Sequence, residues 1–362
     1  SFHRQWGFPY SVVWCGNLTI PNYEKHFHCF LFVNKVKLRH SPGRPSRSDF
    51  VQLEFIRQVD AILENGYDII HIATGNWNGY LLEERAHNKG IKRIIVHSHN
   101  SSVINPKAYY DSDYRATLIN KHYEERGKVD FSIITDYWAC SQKASDWLFG
   151  DCVDKEDILI MKNAIDTKKY LFNAESRKEK RIELKIEDDE YLVGTVGNMV
   201  PQKNQSFILK ELSNLLSSDK KVKFVIVGDG ILKKELIEES KKLSIFDKSI
   251  FLGKREDVAE LYQAMDLFVL PSLFEGLPLV LIEAQASGLQ CLASDTISQE
   301  ATISNNISYL PLKQHVWSKT IEELKNKVYI RKNMMDEVIK AGYDISRQIK
   351  IIEQEYMKEI LE

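Results

Sequence analysis

Two glutamates separated by seven residues are the first candidates for chemistry, Glu275 in a predicted loop and Glu283 inside the helix that follows. Residues 267–295 have the pattern of strand, loop, helix and strand, with Pro278 at the predicted helix start and Gly288 just past its end. A helix start favours an anion, and ionised carboxylates accept hydrogen bonds from sugar hydroxyls. The pair therefore predicts a nucleotide-sugar site. The alternative is structural, with Glu275 capping the helix and Glu283 solvated.

A second candidate cluster follows the predicted strand YLVGTV, where a Gly-containing loop leads into a helix. The loop amides and Lys203 suit a phosphate, and Gly228 and Gly230 after the next predicted strand would let backbone approach a nucleotide. The spacing differs from the Rossmann fingerprint, because Gly194 and Gly197 are separated by two residues and no third glycine completes the motif. A solvated Lys203 is the alternative.

In the first half of the chain, His97 and His99 lie at the carboxyl end of the predicted strand IKRIIVHSHN. Ligands gather at such strand ends in α/β sheets. Two histidines at this spacing suit a metal, but no nearby carboxylate or cysteine completes a ligand set, so we expect none. An active-site histidine and polar side chains hydrogen-bonded at a strand end both remain open. Ser141 lacks the GxSxG context of a nucleophile.

Predicted strands and helices alternate from about Asp49 onward, which calls for parallel sheets, and 362 residues are enough for two α/β domains. A formal net charge of −2, 43% apolar residues and no run long enough to span a bilayer indicate a soluble globular protein. The five cysteines form no CxxC pair, which favours a reducing cytosol over zinc or disulfides. The charged run from Glu175 to Glu190 predicts a solvated helix or a linker.

Residues 1–48 differ in composition, with seven Lys or Arg against one acid and with interleaved aromatic residues. This composition suits an anionic membrane surface or phosphates, and a sheet edge with solvated lysines is the alternative. Nucleic acid is not expected, because no recognisable binding motif accompanies the charge. Since the chain begins at Ser1 rather than Met, we expect its natural start to be missing or processed.

Residues 267–295 resemble the motif of two glutamates seven residues apart in retaining glycosyltransferases of the GT-B fold (glycosyltransferase family 4), which include bacterial capsule and exopolysaccharide enzymes. The resemblance is strongest at residues 193–204 and 268–301. It implies an α/β protein with two facing, Rossmann-like, doubly wound domains and an active site in the cleft between them. The implied parts are an acceptor-side domain at 1–167, a nucleotide-sugar domain at 168–342 and a C-terminal helix at 343–362 that returns to the first domain.

The resemblance also implies roles for individual residues. Glu275 would contact the donor sugar as a catalytic residue. His99 would lie beside the same sugar, because its position fits the family better than that of His97. Glu283 would contact the ribose. The other implied donor-binding residues are Gly197, Asn198, Lys203, Gly228, Arg255, Gly276, Leu277 and Leu279. Lys203 matches the family's diphosphate lysine, whereas Asn198 stands where an arginine is common. A surface charge cluster is the alternative for Arg255, and residues 1–48 lack the Gly-Gly loop of the family.

These features together predict a retaining glycosyltransferase that moves a sugar from a nucleotide donor, with UDP expected, to a bacterial surface glycan or lipid-linked acceptor. No cofactor is expected, and no metal, since no Asp-x-Asp clamp lies near the proposed site. The expected location is the cytoplasm, with peripheral contact at the inner face of the membrane. The alternative is a sugar-nucleotide-binding protein without transfer activity, motivated by the atypical start and by Asn198. A nucleotide-sugar epimerase is disfavoured by the glutamate pair.

Overall fold

The computed structural model describes Cys29–Phe30, residues 57–103 except 58, 62, 65 and 78, residue 108 and residues 111–358. The membrane-surface prediction for residues 1–48 falls almost wholly outside these residues and stays a prediction. The chain divides into two compact units, Ser1–Met161 and Lys162–Glu362, a few residues before the boundary that the sequence indicates. The predicted return of the C-terminal helix to the first domain stays a prediction.

In its described part, the first unit contains a parallel sheet whose five strands lie side by side in chain order. Its strands are β1 (Cys29–Phe30), β2 (Ile69–Thr74), β3 (Arg93–Ser98), β4 (Asp136–Ala139) and β5 (Ile158–Ile160), and its helices are α1 (Leu81–Asn88), α2 (Ser112–Arg126) and α3 (Gln142–Leu148). Strands β2 and β3 are buried along their whole length, as expected for parallel strands covered on both faces. Ser141 caps α3 by accepting from the Ala144 N–H, a structural role.

The second unit has a six-stranded sheet in its described residues, again with parallel pairing throughout. The strands are β6 (Tyr191–Val196), β7 (Val222–Val227), β8 (Ser249–Gly253), β9 (Leu267–Leu270), β10 (Gln290–Ser294) and β11 (Ile307–Leu310). The helices are α4 (Thr167–Tyr170), α5 (Ala174–Glu183), α6 (Gln205–Ser218), α7 (Lys233–Lys242), α8 (Val258–Ala264), α9 (Leu279–Ala286), α10 (Val316–Lys325), α11 (Met335–Lys340) and α12 (Ile345–Met357).

Successive side chains of these strands enter two separate cores, one on each face of the sheet. Leu192 packs with residues of α8 and α9, whereas its neighbour Val193 packs with residues of α6 and with Trp317 of α10. This two-sided burial explains why the strand segments are apolar at almost every position rather than at alternate ones. The alternation of strands and helices predicted for the second half of the chain is confirmed.

The charged stretch 175–190 is where the structure corrects the sequence prediction. Its first part forms α5, which ends at Glu183, but the helix is not simply solvated, because Arg181 is 3% exposed. The Arg181 guanidinium donates to the Ala264 carbonyl and to the Asp266 carboxylate, at 3.1 Å each. Among the described residues, no helix combines the length and the apolar character needed to cross a bilayer.

Candidate active site

The candidate site lies where the strand order of the second sheet reverses. The order is β11-β10-β9-β6-β7-β8. The chain therefore runs from β6 to β7 on one side of the β6–β9 pair, and from β9 to β10 on the other side. Loops that leave two such neighbouring strands diverge, and the resulting crevice at the carboxyl ends of the strands is where ligands bind in doubly wound sheets. The loop after β6 contains residues 197–203, and the loop after β9 contains residues 271–278. Both predicted donor-binding loops therefore meet at the expected position.

An ion pair joins the two loops. Lys203 Nζ lies 2.5 Å from Glu275 Oε1, and the two side chains are 17% and 8% exposed. Gln202 reinforces the contact, since its Nε2 donates to the Phe274 carbonyl at 2.9 Å and lies 3.4 Å from Glu275 Oε2. The Leu273 N–H also donates to the Gln202 carbonyl, at 2.8 Å. Glu275 is therefore held by the turn that carries Lys203, and Gln202 is a supporting residue that sequence reasoning missed.

Gly228 keeps the loops after β6 and β7 in close contact. Its φ is +137°, and a Cβ at this position would lie 1.9 Å from the Gly197 carbonyl oxygen, so a side chain cannot be accommodated. The stem of Lys203 lies against Gly197, with its Cε 3.3 Å from where a Cβ of that residue would be. Asn198 is exposed, and its carbonyl accepts from Gln205 Nε2 at 3.0 Å. The glycines thus shape the surface on which Lys203 rests.

Glu283 lies inside α9 and is 8% exposed, so it is not the solvated charge that the structural alternative requires. The Tyr170 hydroxyl donates to Glu283 Oε1 and the Tyr262 hydroxyl lies against Oε2, at 3.0 Å each. Neither tyrosine was singled out from the sequence, because each is distant from Glu283 along the chain and no motif spacing connects them.

Between the two glutamates, Gly276 and Leu277 are half-buried, and Leu279 is the first residue of α9. The first N–H groups of a helix have no acceptor within the helix and carry a partial positive charge. The helix start that the sequence predicts is confirmed, and the αL glycine just past its end is Gly288, with φ +70°. Contact of these residues with sugar and phosphate stays a prediction.

Arg255 follows β8, the strand at one edge of the second sheet, and belongs to an ion-pair cluster there. Its guanidinium binds both carboxylate oxygens of Asp257, at 2.7 and 2.6 Å, and Glu183 at 2.7 Å. These hydrogen bonds hold the pKa of the Asp257 carboxyl well below its ordinary range. Lys180 binds the same two acids. The structure therefore favours the surface-cluster alternative, and a contact of Arg255 with a nucleotide base stays a prediction.

His99 immediately follows β3 and is half-buried, with its ring centroid 4.0 Å from that of the buried His97. Beneath them on β2, His71 Nε2 lies 3.1 Å from His97 Nδ1. Burial lowers the pKa of His71 to about 4, so this imidazole is neutral near neutral pH. His71 was missed, although a histidine in a buried strand next to β3 was a usable signal. His99 belongs to the first unit, and its role beside a donor sugar stays a prediction.

Two parallel-sheet α/β units, with phosphate-suited loops and a helix start at the switch point of the second, are the architecture expected of the GT-B fold class. A family model described as "Glycosyl transferases group 1" matches residues 176–344. The putative glycosyltransferase EpsF of Bacillus subtilis is 30% identical over 312 residues, which cover 84% of this chain and 79% of EpsF. The chain belongs to the group 1 glycosyltransferases.

One further relative agrees with this family, and one solved structure shares the fold. A UDP-Gal:alpha-D-GlcNAc-diphosphoundecaprenol alpha-1,3-galactosyltransferase of Escherichia coli is 32% identical over 158 residues, covering 42% of this chain and 40% of that enzyme. The crystal structure of HepE from Anabaena in complex with UDP superposes with a TM-score of 0.64 at 18% identity. It covers 87% of this chain and 84% of HepE. At that identity, the similarity to HepE establishes the fold alone.

Proposed function

We propose that this enzyme is a retaining glycosyltransferase of the type with two glutamates seven residues apart, using a UDP-sugar as donor. The observation that carries the proposal is the ion pair of Lys203 and Glu275 at the switch point, where a cation suited to phosphate touches a carboxylate suited to sugar hydroxyls. A diphosphate and the sugar attached to it would need these two groups at adjacent positions. The E. coli relative is named for a UDP-Gal donor, and the HepE structure contains UDP. Both support UDP as the nucleotide.

Donor binding would exchange the partners of this ion pair. A diphosphate arriving at the start of α9 would draw Lys203 to its oxygens, and hydroxyls of the sugar would replace the ammonium as hydrogen-bond donors to Glu275. Lys203 and the helix start would then neutralise the charge that develops on the leaving diphosphate. In this scheme the nucleotide-sugar is a substrate, and the reaction needs neither a metal nor a cofactor.

The proposed acceptor is a bacterial surface polysaccharide or a lipid-linked glycan. The E. coli relative is named for a sugar linked to diphosphoundecaprenol, which supports a lipid-linked acceptor. We also propose peripheral contact with the inner face of the membrane through the basic, aromatic residues 1–48. Equal sedimentation of the protein with neutral and anionic vesicles at low salt would contradict that contact.

The test is a panel of nucleotide-sugars incubated with the protein, with release of the free nucleotide measured in the presence and absence of a diphospho-lipid-linked sugar. We expect release from one UDP-sugar and from no other nucleotide's sugar, and the anomeric configuration of the product, read by NMR, should match that of the donor. Binding of a nucleotide-sugar without release under any condition would favour the alternative of a binding protein. A product of opposite configuration would refute retention.

A further inference from the structure

The buried carboxylate of Glu283 receives a tyrosine on each of its two oxygens. Tyr170 ends α4 and Tyr262 lies in the last turn of α8, so two separate elements approach α9 at this point. Each hydroxyl oxygen is 3.0 Å from its carboxylate oxygen. Tyr262 is fully buried and Glu283 nearly so. The arrangement restrains a flexible side chain from two directions, which reduces the rotamer freedom that it would lose on binding a ligand.

The direction of the hydrogen bond from Tyr262 follows from counting protons. Its hydroxyl lies 3.1 Å from the Val280 carbonyl and 3.0 Å from Glu283 Oε2, but a phenol has one proton to donate. Val280 lies within α9, where its carbonyl accepts from the N–H four residues later. We therefore infer that the Tyr262 hydroxyl donates its proton to the Glu283 carboxylate rather than to the Val280 carbonyl. With Tyr170 donating to Oε1, both oxygens of the Glu283 carboxyl accept a tyrosine hydrogen bond.

A carboxylate that is oriented in this way suits a pair of neighbouring hydroxyl groups. A carboxylate has about four acceptor positions, and each tyrosine bond uses one of them while it fixes the orientation of the group. The ribose of a nucleotide offers two adjacent hydroxyls as donors, whereas a 2′-deoxyribose offers one. Each hydroxyl bond to a charged acceptor contributes more than a neutral bond does. Fixing the carboxylate should therefore favour ribonucleotides over deoxyribonucleotides.

We propose that Tyr170 and Tyr262 are positioning residues that hold Glu283 for the ribose diol, so that the enzyme selects ribonucleoside over deoxyribonucleoside diphosphate donors. This inference rests on the proposed function, because it assumes that Glu283 meets the nucleotide. A merely structural role for the tyrosines, satisfying a buried carboxylate, would lower stability without changing the choice between the two nucleotides. That difference makes the two roles separable by experiment.

The experiment compares Tyr170→Phe, Tyr262→Phe and a matched control, Tyr343→Phe, in the full-length protein. Tyr343 is 1% exposed, packs in the same core as Tyr262 and donates to the Glu300 carbonyl at 2.5 Å, so the control also removes a buried hydroxyl bond. Calorimetry would measure the Kd for UDP and for 2′-deoxy-UDP, and steady-state kinetics would measure KM and kcat for the donor. Thermal unfolding would show the stability that each hydroxyl contributes.

For each site variant we expect the Kd for UDP and the donor KM to rise about three- to tenfold, with kcat within about twofold of wild type. The Kd for 2′-deoxy-UDP should rise less, so the preference for UDP should shrink. Tyr343→Phe should keep the wild-type preference. In a Glu283→Ala background, neither tyrosine substitution should change UDP affinity further, because the tyrosines act through the carboxylate.

Three results would overturn the inference. If wild type binds UDP and both site variants keep the wild-type preference for UDP, the positioning role is wrong while the proposed function stands. If the variants raise KM and lower kcat together, with a fall in Tm larger than that of Tyr343→Phe, the tyrosines are structural. If wild type binds neither nucleotide, the proposed function fails, and this inference fails with it.

Discussion

Replacing Glu275 by glutamine should separate sugar transfer from nucleotide binding. The substitution keeps the size of the side chain and removes its charge, so Gln202 and the loop around Leu273 keep a partner of the same shape. In the free enzyme, Lys203 loses the anion that lies 2.5 Å from its ammonium. A diphosphate then no longer has to compete with Glu275 for that ammonium. Affinity for free UDP should therefore be kept or increased.

Turnover should fall instead. If Glu275 accepts from the sugar hydroxyls as the ring gains positive character, glutamine loses hydrogen bonds to a charged acceptor, which contribute about 1.5 to 3 kcal/mol each. One such bond made only in the transition state corresponds to a fall in kcat of roughly 10- to 150-fold. Calorimetry with UDP, beside steady-state turnover of the full donor, measures the two effects on the same preparation.

The chain offers a matched control in Glu190→Gln. Glu190 pairs with Lys223 at 3.4 Å, and its side chain is 12% exposed against 8% for Glu275, so the substitution removes a similarly buried lysine–glutamate pair away from the switch point. Glu190→Gln should leave both turnover and UDP affinity near wild type. If Glu275→Gln turns over within twofold of wild type, or weakens UDP and turnover by the same factor, the assigned role of Glu275 is wrong.

The remaining predictions concern Glu283, metals and pH. Glu283→Ala should raise the donor KM and weaken UDP with kcat nearly kept, because a ribose contact is equal in ground and transition states; unchanged UDP affinity by calorimetry would contradict it. A chelator should leave turnover unchanged, since Lys203 and the start of α9 supply the positive charge; loss that Mn²⁺ restores would refute this. Burial lowers the pKa of His71 and His122 from 6.5 to about 4. Both contribute stability that is complete above about pH 6.5 and is lost towards pH 4, so Tm should fall across that window, and a constant Tm would count against it.

Sequence periodicity was sufficient for β6, β7 and β9 of the second sheet because these strands are buried on both faces. The apolar runs around Leu192, Phe224 and Leu267 have no polar alternation, and loops containing glycine separate each from its helix. The order of the strands was not predicted, since nothing in the sequence of a single strand identifies the strands beside it. The switch point, and with it the meeting of the two loops, follows from that order.

The side-chain partners that the sequence analysis did not predict are joined by contacts between residues distant in the sequence. Lys203 and Glu275 were both candidates, but their ion pair depends on β6 and β9 being neighbours. The arginines of α5 looked solvated because a charged run is usually exposed, and composition does not reveal that backbone carbonyls more than 80 residues later accept their protons. The contact of His71 with His97 was likewise not visible, since it joins neighbouring strands, although the presence of a histidine in a predicted buried strand was a usable signal.

The supports of Glu283 extend well beyond the motif to which it belongs. Arg177 and Arg181 of α5 donate to carbonyls at the C-terminal end of α8, and Arg331 donates to the Tyr262 carbonyl at 3.1 Å. Burial lowers the pKa of Arg331 to about 9, so it remains charged at neutral pH and matches the negative end of the helix. These bonds fix the turn from which Tyr262 reaches Glu283. The spacing of two glutamates identifies the chemistry, but the orientation of the second depends on tertiary contacts that no short motif contains.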